Sequence, residues 1–371
     1  MKKIFILGIA MFIIQDLSAQ KLNRSQLPKA GPAPVIAFKD PSNFQLPNGI
    51  TVLVVEDHKL PKVSASYLID RGPSTEGDKA GVLSLMGSML NEGTQNKTKL
   101  QFNQAVDLMG ATVDLRSTGG SVSALTRYFE PAFMLMSEAL RQPALHQDAF
   151  DKLKAQSLTG LKSNELNAQA ISGRMVNALA YGKTHPMGEF VTQQSLESVT
   201  LDDIKKAYIS AITPSRGILT IVGDIDPAAA KKIVMKALGD WKGVDLQLPE
   251  LPLVSNPGAT EIDVVDVKNA VQTEITAVSL VNLPMKSEDY HAVLLANQIL
   301  GGGADAKLFR NLREKHGYTY GAYSRIGAGR FQSTFAANAA VRTEKTDSAI
   351  VEMLHEINIM RNLCRYLIFI F

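Results

Sequence analysis

The stretch GVLSLMGSMLNEGT, residues 81–94, decides how the rest of the chain is interpreted. Its large apolar side chains recur at the spacing of one buried helical face, at Leu83, Met86, Met89 and Leu90. The residues that follow, Asn91 to Thr94, are typical of a helix end, with Gly93 as the C-terminal cap. The sequence therefore predicts a helix that buries one face and carries only small residues at Ser84, Gly87 and Ser88.

Two predicted strands precede this helix, at Ile50–Val55 and Val63–Ile69, both rich in β-branched residues. A short helix, Gln101–Met109, follows it, and Gly110 separates that helix from a strand at Ala111–Leu115. Further elements are then predicted as a strand at 121–128, helices at 131–140 and 147–181, a helix from Leu201, a strand at 216–222 and a helix at 227–238. This order of strands and helices predicts an α+β unit.

The same series of elements begins again after Gly258. Strands are predicted at 260–267 and 272–280, helices at 291–300 and 306–315, and a strand at 318–323. Only a strand at 329–338 and a helix from 343 to about 361 remain after these elements, followed by the apolar tail Arg365–Phe371. A repeated series predicts two copies of one unit, of which the second is incomplete. The shortened second copy is expected to be poorly folded alone.

The helix at residues 81–94 resembles the active-site helix of the pitrilysin/insulinase family of zinc peptidases (inverzincins). The family motif reads His-x-x-Glu-His before a Met-Leu pair and a closing Gly-Thr, and the two His hold zinc while the Glu activates water. In this sequence the first His falls on Ser84, the Glu on Gly87 and the second His on Ser88. The opening Leu46-Pro47-Asn48-Gly49 and the His185-Pro186 landmark also resemble the family. The resemblance implies two tandem α/β sandwich domains and a catalytic site with none of its three motif residues intact.

A zinc site of the family type is not expected in this chain. The family's third ligand is a Glu on the following long helix, which falls near Gly160 or on Glu165 depending on the landmark used for counting. A lone Glu does not bind zinc, which needs at least three protein ligands in catalytic sites. A serine hydrolase built on Ser84 or Ser88 is disfavoured because neither lies in a Gly-x-Ser-x-Gly elbow. We expect no cofactor in this chain, and zinc only in a catalytic partner.

A second motif of the family is better preserved. The stretch LFRNLREKHGYTY, residues 308–320, resembles a segment of the family's second domain in which an Arg and a Tyr seven residues later reach the substrate backbone beside the zinc. These positions are Arg313 and Tyr320, and the resemblance implies that they bind substrate. A guanidinium offers a rigid set of donors to peptide carbonyls, and a phenol can donate to a developing oxyanion. The alternative is a solvated helix end and a tyrosine packed in the sheet.

The domain organisation predicted from these signals has five parts. Residues 1–19 form a signal peptide, with Lys2-Lys3, an apolar run too short to span a bilayer, and Leu17-Ser18-Ala19 before the cleavage point. Residues 20–42 form an extended lead-in, 43–240 the first insulinase-like domain, 241–258 a linker, and 259–371 the second, incomplete domain. The signal predicts export to the periplasm, and no stable membrane span is expected.

Composition excludes some classes of function. With 371 residues, 45% apolar residues and a net charge of +3, the chain carries no basic block that would indicate nucleic-acid binding. The resemblance to the family, with the motif residues replaced at Ser84, Gly87 and Ser88 and with Arg313 and Tyr320 kept, implies a non-catalytic subunit of a periplasmic zinc endopeptidase complex. This subunit is expected to bind unfolded peptides beside a paralogous partner with an intact His-x-x-Glu-His motif. The alternatives are a structural or peptide-binding scaffold without a role in proteolysis, or a truncated remnant without function.

Overall fold

The computed structural model describes residues 31–32 and 40–367. The predicted signal peptide and most of the predicted lead-in lie outside the described residues, as do the last four residues of the apolar tail. The division into domains at residues 241–258 stays a prediction. Elements are therefore described below by the sheet to which they belong.

The first sheet has six strands in the order β1-β2-β6-β3-β5-β4. Their bounds are β1 Ser42–Gln45, β2 Thr51–Glu56, β3 Lys62–Ile69, β4 Thr112–Arg116, β5 Gly119–Leu125 and β6 Gly217–Gly223. The β2–β6 pair is parallel, and the other pairs are antiparallel. In β3, alternate side chains from Val63 to Ile69 are buried and those between them are exposed. This period of two is what packs a single face of the sheet against helices.

Eight α-helices of the described residues belong to the same half of the chain. They are α1 Val82–Met89, α2 Lys99–Leu108, α3 Thr126–Arg141, α4 Gln147–Ser163, α5 Ala168–Tyr181, α6 Gln193–Ser198, α7 Leu201–Ala211 and α8 Pro227–Leu238. Capping boxes fix the starts of α2, α6 and α7, where a threonine side chain accepts from a backbone N–H one turn ahead. Strands and helices share one apolar core, in which Tyr67, Phe129 and Phe133 are among the largest fully buried side chains.

The second half of the chain repeats part of this arrangement. Its elements are β7 Gln272–Val281, α9 Tyr290–Gly301, α10 Lys307–Phe309, a π-helix Arg310–Lys315, β8 Thr319–Ile326, β9 Ser333–Arg342 and α11 Thr346–Leu367. The sheet order is β7-β9-β8, all antiparallel, as in β3-β5-β4 of the first sheet. In both sheets the last strand of the series lies between the other two. This common topology confirms the predicted α+β fold with two related units, the second of which has three strands within the described residues.

Three predicted elements were wrong in a way that the structure explains. The long helix predicted at 147–181 is two helices, because Asn167 caps the start of α5 by accepting from the N–H of Ala170, at 2.9 Å. The strand predicted at 121–128 ends at Leu125, where α3 begins. The strand predicted at 260–267 is irregular chain. Its counterpart in the first half, β2, is held in place by pairing with β6, and the described residues of the second half contain no strand that corresponds to β6.

Contacts of Asp70 and Tyr181 with residues 330–332 join the first half of the chain to the second. Helix α5 packs against β7, and the phenol of Tyr181 donates to the carbonyl of Gln332 at 3.1 Å. Asp70, at the end of β3, forms an ion pair of 3.0 Å with Arg330. A hydrogen bond from Arg216, helped by Arg330, holds the pKa of Asp70 below its usual value. None of the helices in the described residues has the length and apolar character needed to cross a bilayer.

Candidate functional site

The helix that occupies the position of the catalytic motif, α1, is fixed at its start by a carboxylate. Glu76 accepts hydrogen bonds from the backbone N–H groups of Gly81 and Leu83, each at 3.0 Å. Gly81 has φ of 106°, and a Cβ there would lie 3.2 Å from Val191, so a larger residue would be strained. The acidic cap satisfies N–H groups that the helix leaves free and places a negative charge at its positive end.

The three motif positions lie on two different surfaces of α1. Ser84 and Ser88 are exposed, whereas Gly87 is buried. The hydroxyl of Ser88 donates to the carbonyl of Ser84 at 3.2 Å, which is the usual local bond of a helical serine. Neither hydroxyl has a histidine or carboxylate hydrogen-bond partner among the described residues. The two serines therefore show no sign of an activated nucleophile.

Gly87 lies against the turn between β4 and β5. A Cβ built at this position would be 2.7 Å from the backbone nitrogen of Ser117 and 3.4 Å from the carbonyl carbon of Arg116. Both neighbours are backbone atoms, which cannot rotate away as a flexible side chain can. The space that the Cβ of a glutamate at position 87 would need is consequently filled by the backbone of the turn between β4 and β5.

Asn91 attaches the end of α1 to the outer edge of the first sheet. Its side-chain amide donates to the carbonyl of Leu115 at 2.9 Å and accepts from the N–H of the same residue at 3.2 Å. It also donates to the carbonyl of Gly87 at 3.2 Å. Because the Asn91 amide both donates and accepts, it makes the two hydrogen bonds that a neighbouring strand would otherwise make with Leu115 at this edge of β4. Sequence reasoning identified Asn91 only as part of a helix end, and nothing in its spacing indicated this role.

The predicted helix end at Gly93 was wrong in detail. Helix α1 ends at Met89 with Leu90 as its cap residue, and Gly93 lies three residues further on. Gly93 nevertheless needs to be glycine, because its φ is 105° and a Cβ would lie 2.7 Å from the carbonyl oxygen of Lys97. The residue therefore shapes the turn into α2 rather than the cap of α1.

The two candidates for a third zinc ligand do not complete a site. Gly160 lies within α4, and Glu165 is exposed in the turn between α4 and α5. Residues 31–32 and 40–367 contain no group of three His, Cys, Asp or Glu side chains placed to hold a metal ion. At the motif position the structure thus offers two exposed hydroxyls and a glycine, and this set supplies neither a metal ligand nor a general base at neutral pH.

Arg313 lies in the π-helix that continues α10. Its side chain is exposed, and the guanidinium carbon lies 4.7 Å from the centre of the Phe309 ring. Asn311 attaches the π-helix to α11, because its side-chain amide donates to Glu352 at 2.9 Å and to Glu356 at 2.7 Å. A π-helical turn is rare and is frequently found at functional sites.

Tyr320 lies in a β-bulge at the start of β8. Thr319 pairs with Val341 and Ala322 pairs with Ala339, so Tyr320 and Gly321 together oppose the single residue Ala340. The hydroxyl of Thr319 supports the bulge by donating to the carbonyl of Ala340 at 2.6 Å. As a result the Tyr320 side chain is 85% exposed. This geometry contradicts the alternative that the tyrosine packs in the sheet, and bulges commonly re-aim a side chain in this way.

The predicted residues form two separate sets. Ser84, Gly87 and Ser88 share one turn of α1, whereas Arg313 and Tyr320 lie on the second half, on either side of the turn that leads into β8. Among the described residues no hydrogen bond or ion pair joins one set to the other.

Two family profiles match consecutive parts of the chain. The profile of the insulinase family, peptidase family M16, matches residues 51–191, and that of the M16 inactive domain matches residues 198–363. The chain belongs to peptidase family M16. The first match contains the altered motif on α1, and the second contains Arg313 and Tyr320, so the resemblance predicted from the sequence is confirmed.

Relatives of this M16 chain include proteins described as inactive and proteins described as proteases. It is 24% identical over 291 residues to the non-peptidase homologue YmxG of Helicobacter pylori, covering 74% of this chain and 65% of that protein. It is 22% identical over 372 residues to the zinc protease PqqE of the same organism, covering 95% of this chain and 80% of that protein. The chain thus spans about two thirds of the length of the first of these relatives.

A solved structure confirms the fold. The crystal structure of a peptidase M16 inactive domain from Pseudomonas fluorescens superposes with a TM-score of 0.77 at 25% sequence identity, covering 86% of this chain and 79% of that one. Similarity to proteins described as non-peptidase or inactive fits a non-catalytic role for this M16 chain. It agrees with the loss of the three motif residues from α1.

Proposed function

We propose that this M16 chain is the non-catalytic subunit of a periplasmic zinc endopeptidase complex, binding unfolded peptide and presenting Arg313 and Tyr320 to it. Support for a non-catalytic role comes from α1, where Ser84, Gly87 and Ser88 replace the motif residues while the helix keeps its cap and its packing. The zinc and its ligands are then supplied by a paralogous partner with an intact His-x-x-Glu-His motif. One organism, Helicobacter pylori, contains both a non-peptidase homologue and a zinc protease similar to this chain, which supports such a pair.

The single observation that carries the proposal is the exposure of Tyr320 in a bulge that Thr319 stabilises. A tyrosine with 85% exposure contributes little to folding, whereas a bulge disrupts the ladder between β8 and β9. Arg313 is exposed as well, on a π-helix held by two carboxylates of α11. Two donors on rigid, irregular elements suit the binding of a peptide carbonyl or oxyanion better than they suit packing.

Export to the periplasm is part of the proposal and is supported by the sequence of residues 1–19. The tagged chain is therefore recovered from the periplasm of its native cell, and the proteins that accompany it are identified by mass spectrometry. A paralogue with an intact motif is the expected companion. If the chain is found in the cytoplasm, or the periplasmic chain has no such companion, the proposed complex is wrong.

The role of the two donors is tested in the reconstituted pair. Peptide hydrolysis by the partner is measured with this chain unchanged, with Arg313→Ala and Tyr320→Phe together, and with the control pair Arg310→Ala and Tyr323→Phe. Removal of a donor to a developing oxyanion typically lowers the rate about a hundredfold or more. We therefore expect a loss of that order with Arg313→Ala and Tyr320→Phe, and no such loss with the control variant. If the partner is equally active with the unchanged chain and with both double variants, the chain is a scaffold without a part in proteolysis.

A further inference from the structure

Asn311 is a buried polar residue of the π-helix that carries Arg313. It is 6% exposed, and its side-chain nitrogen donates to Oε2 of Glu352 at 2.9 Å and to Oε1 of Glu356 at 2.7 Å. The two glutamates are four residues apart, so they lie on the same face of α11. Both N–H groups of one amide are therefore used, and the amide is fixed between two carboxylates in one orientation.

The carboxylate of Glu352 is a charged acceptor. The hydrogen bond from Asn311 lowers the pKa of Glu352 below its usual value, and the nearby His316 acts in the same direction. Nε2 of His316 lies 3.7 Å from Oε2 of Glu352. Hydrogen bonds to a charged acceptor are shorter and stronger than those between neutral groups. The contact between the π-helix and α11 is therefore a directional one.

Stability alone does not explain the choice of Asn311. Its Oδ1 atom is buried and has no hydrogen-bond partner in the part of the chain that the structure describes. A buried polar atom without a partner costs free energy, and an apolar side chain of similar size would avoid that cost. A polar group that lowers stability but fixes one geometry is suited to the positioning of a neighbouring side chain.

The backbone of Asn311 accepts a hydrogen bond of the π type. Its carbonyl accepts from the N–H of His316, five residues further on, at 3.1 Å. In an α-helix the same carbonyl would accept from the N–H of Lys315. A return to the α-helical bond would rotate the residues that follow Asn311 relative to its side chain. The two bonds from this side chain to α11 consequently fix the π turn from its first half.

The direction of Arg313 follows from its neighbours in this turn. Leu312 is fully buried in the core of the second half, and Asn311 faces the carboxylates of α11. Arg313 is the next residue and is exposed, with its guanidinium carbon 4.7 Å from the centre of the Phe309 ring. With the two preceding side chains fixed and a buried aromatic ring beneath it, the guanidinium has one favoured direction.

We propose that Asn311 is a positioning residue for Arg313. By bridging Glu352 and Glu356 it holds the π turn, and the π turn directs the guanidinium toward the peptide substrate. This inference rests on the proposed function, because it assigns Asn311 a part in the same site. Asn311 is buried and acts through Arg313. A displacement of about 1 Å in such a group can lower a rate by about a hundredfold.

The first test exchanges donors and acceptors in the reconstituted pair. Asn311→Asp removes both donated bonds and places a third carboxylate beside two others, so we expect kcat to fall by about tenfold or more with little change in KM. The triple variant Asn311→Asp, Glu352→Gln and Glu356→Gln returns two hydrogen bonds with the donors on α11, and we expect it to recover most of the lost activity. The control, Glu352→Gln with Glu356→Gln, keeps Asn311 and two acceptor oxygens and is expected to match the unchanged chain.

The second test does not depend on proteolysis. In the full chain labelled with ¹⁵N-arginine, the ring current of Phe309 shifts the side-chain N–H signal of Arg313, which is assigned by its absence from Arg313→Lys. We expect Asn311→Asp to move this signal toward those of solvent-exposed arginines, and the triple variant to restore it. Asn311→Leu adds no third charge and serves as a second variant in case Asn311→Asp fails to fold. It is expected to move the signal in the same way.

The two measurements separate the positioning role from the proposed function. The positioning role is overturned if the Arg313 signal is unchanged in the folded Asn311 variants, if the triple variant restores neither signal nor activity, or if the signal moves while kcat stays the same. If Arg313→Ala with Tyr320→Phe leaves hydrolysis unchanged, the proposed function fails, and the Arg313 signal still decides whether Asn311 fixes the guanidinium.

Discussion

Replacement of Gly87 by alanine is expected to destabilise the first half of the chain, although alanine is the better helix former. The added Cβ would lie 2.7 Å from the backbone nitrogen of Ser117, so the turn between β4 and β5 must move. Overpacking of this kind typically costs about 1–3 kcal/mol. The gain from replacing a helical glycine by alanine is about 0.5–1 kcal/mol and offsets part of that cost.

Gly160→Ala provides the matched control. Gly160 is also helical, and a Cβ there would have no atom within 4 Å, so only the gain in helix stability applies. The difference between the two variants isolates the steric cost, which we expect to be about 1–3 kcal/mol in the free energy of unfolding. Urea denaturation followed by fluorescence measures this difference, because Trp241 is the single tryptophan and is buried in the first core beside Tyr67.

The same reasoning predicts that restoring the motif residues does not restore a zinc peptidase. The triple variant Ser84→His, Gly87→Glu and Ser88→His must place a glutamate where the backbone of Ser117 lies, so we expect it to unfold at lower urea than the unchanged chain and to hold no stoichiometric zinc. A stable triple variant with one bound zinc would refute the steric argument. So would a Gly87→Ala protein as stable as Gly160→Ala.

Three further perturbations probe contacts around the same half. Asn91→Ala removes the two hydrogen bonds to the backbone of Leu115 and is expected to lower the free energy of unfolding by about 1–3 kcal/mol, measured by urea denaturation. An unchanged midpoint would show that these hydrogen bonds do not stabilise the fold. His58 has a pKa raised above 6.5 by its hydrogen bond with Asp224, so His58→Gln should lower stability most in acid, with the difference shrinking as the pH rises through the raised pKa; a difference that grows with pH would be the wrong sign. Burial raises the pKa of Tyr208 to about 12, so an ultraviolet titration compared with that of Tyr208→Phe should show this phenol ionising near pH 12, and the stability it provides below its unfolded pKa is lost as the pH rises through about 12.

Periodicity and glycine position predicted two copies of an α+β unit, while the sandwich architecture was implied by the resemblance to the insulinase family. The apolar spacing in residues 81–94, the breaks at glycines and the return of the same series after Gly258 all depend on local rules, which act on neighbours in sequence. The predicted boundaries were wrong for two elements. Asn167 caps α5 and divides a helix that composition alone would continue, and Thr126 begins α3 where the preceding strand pattern had not yet ended.

The candidate site could be predicted in identity but not in geometry. Comparison of Ser84, Gly87 and Ser88 with a known motif shows which groups are missing from α1. It does not show that the Ser117 backbone occupies the space beside Gly87, because that contact joins residues thirty positions apart through the fold of the sheet. The bulge that exposes Tyr320 depends in the same way on pairing between β8 and β9. Long-range contacts of this kind leave no periodic signal in the sequence.

The loss of chemistry from α1 has a structural consequence for the rest of the molecule. With backbone packed against Gly87 and Asn91 bonded to the edge of β4, this helix now closes one end of the first sheet. The two exposed hydroxyls of Ser84 and Ser88 supply neither a metal ligand nor a general base at this surface. The second half, by contrast, exposes Arg313 on a π-helix and Tyr320 in a β-bulge. Under the proposed function the first half of this M16 chain contributes the fold and the second half contributes the two donors, and the paired variants at Arg313 and Tyr320 separate these contributions.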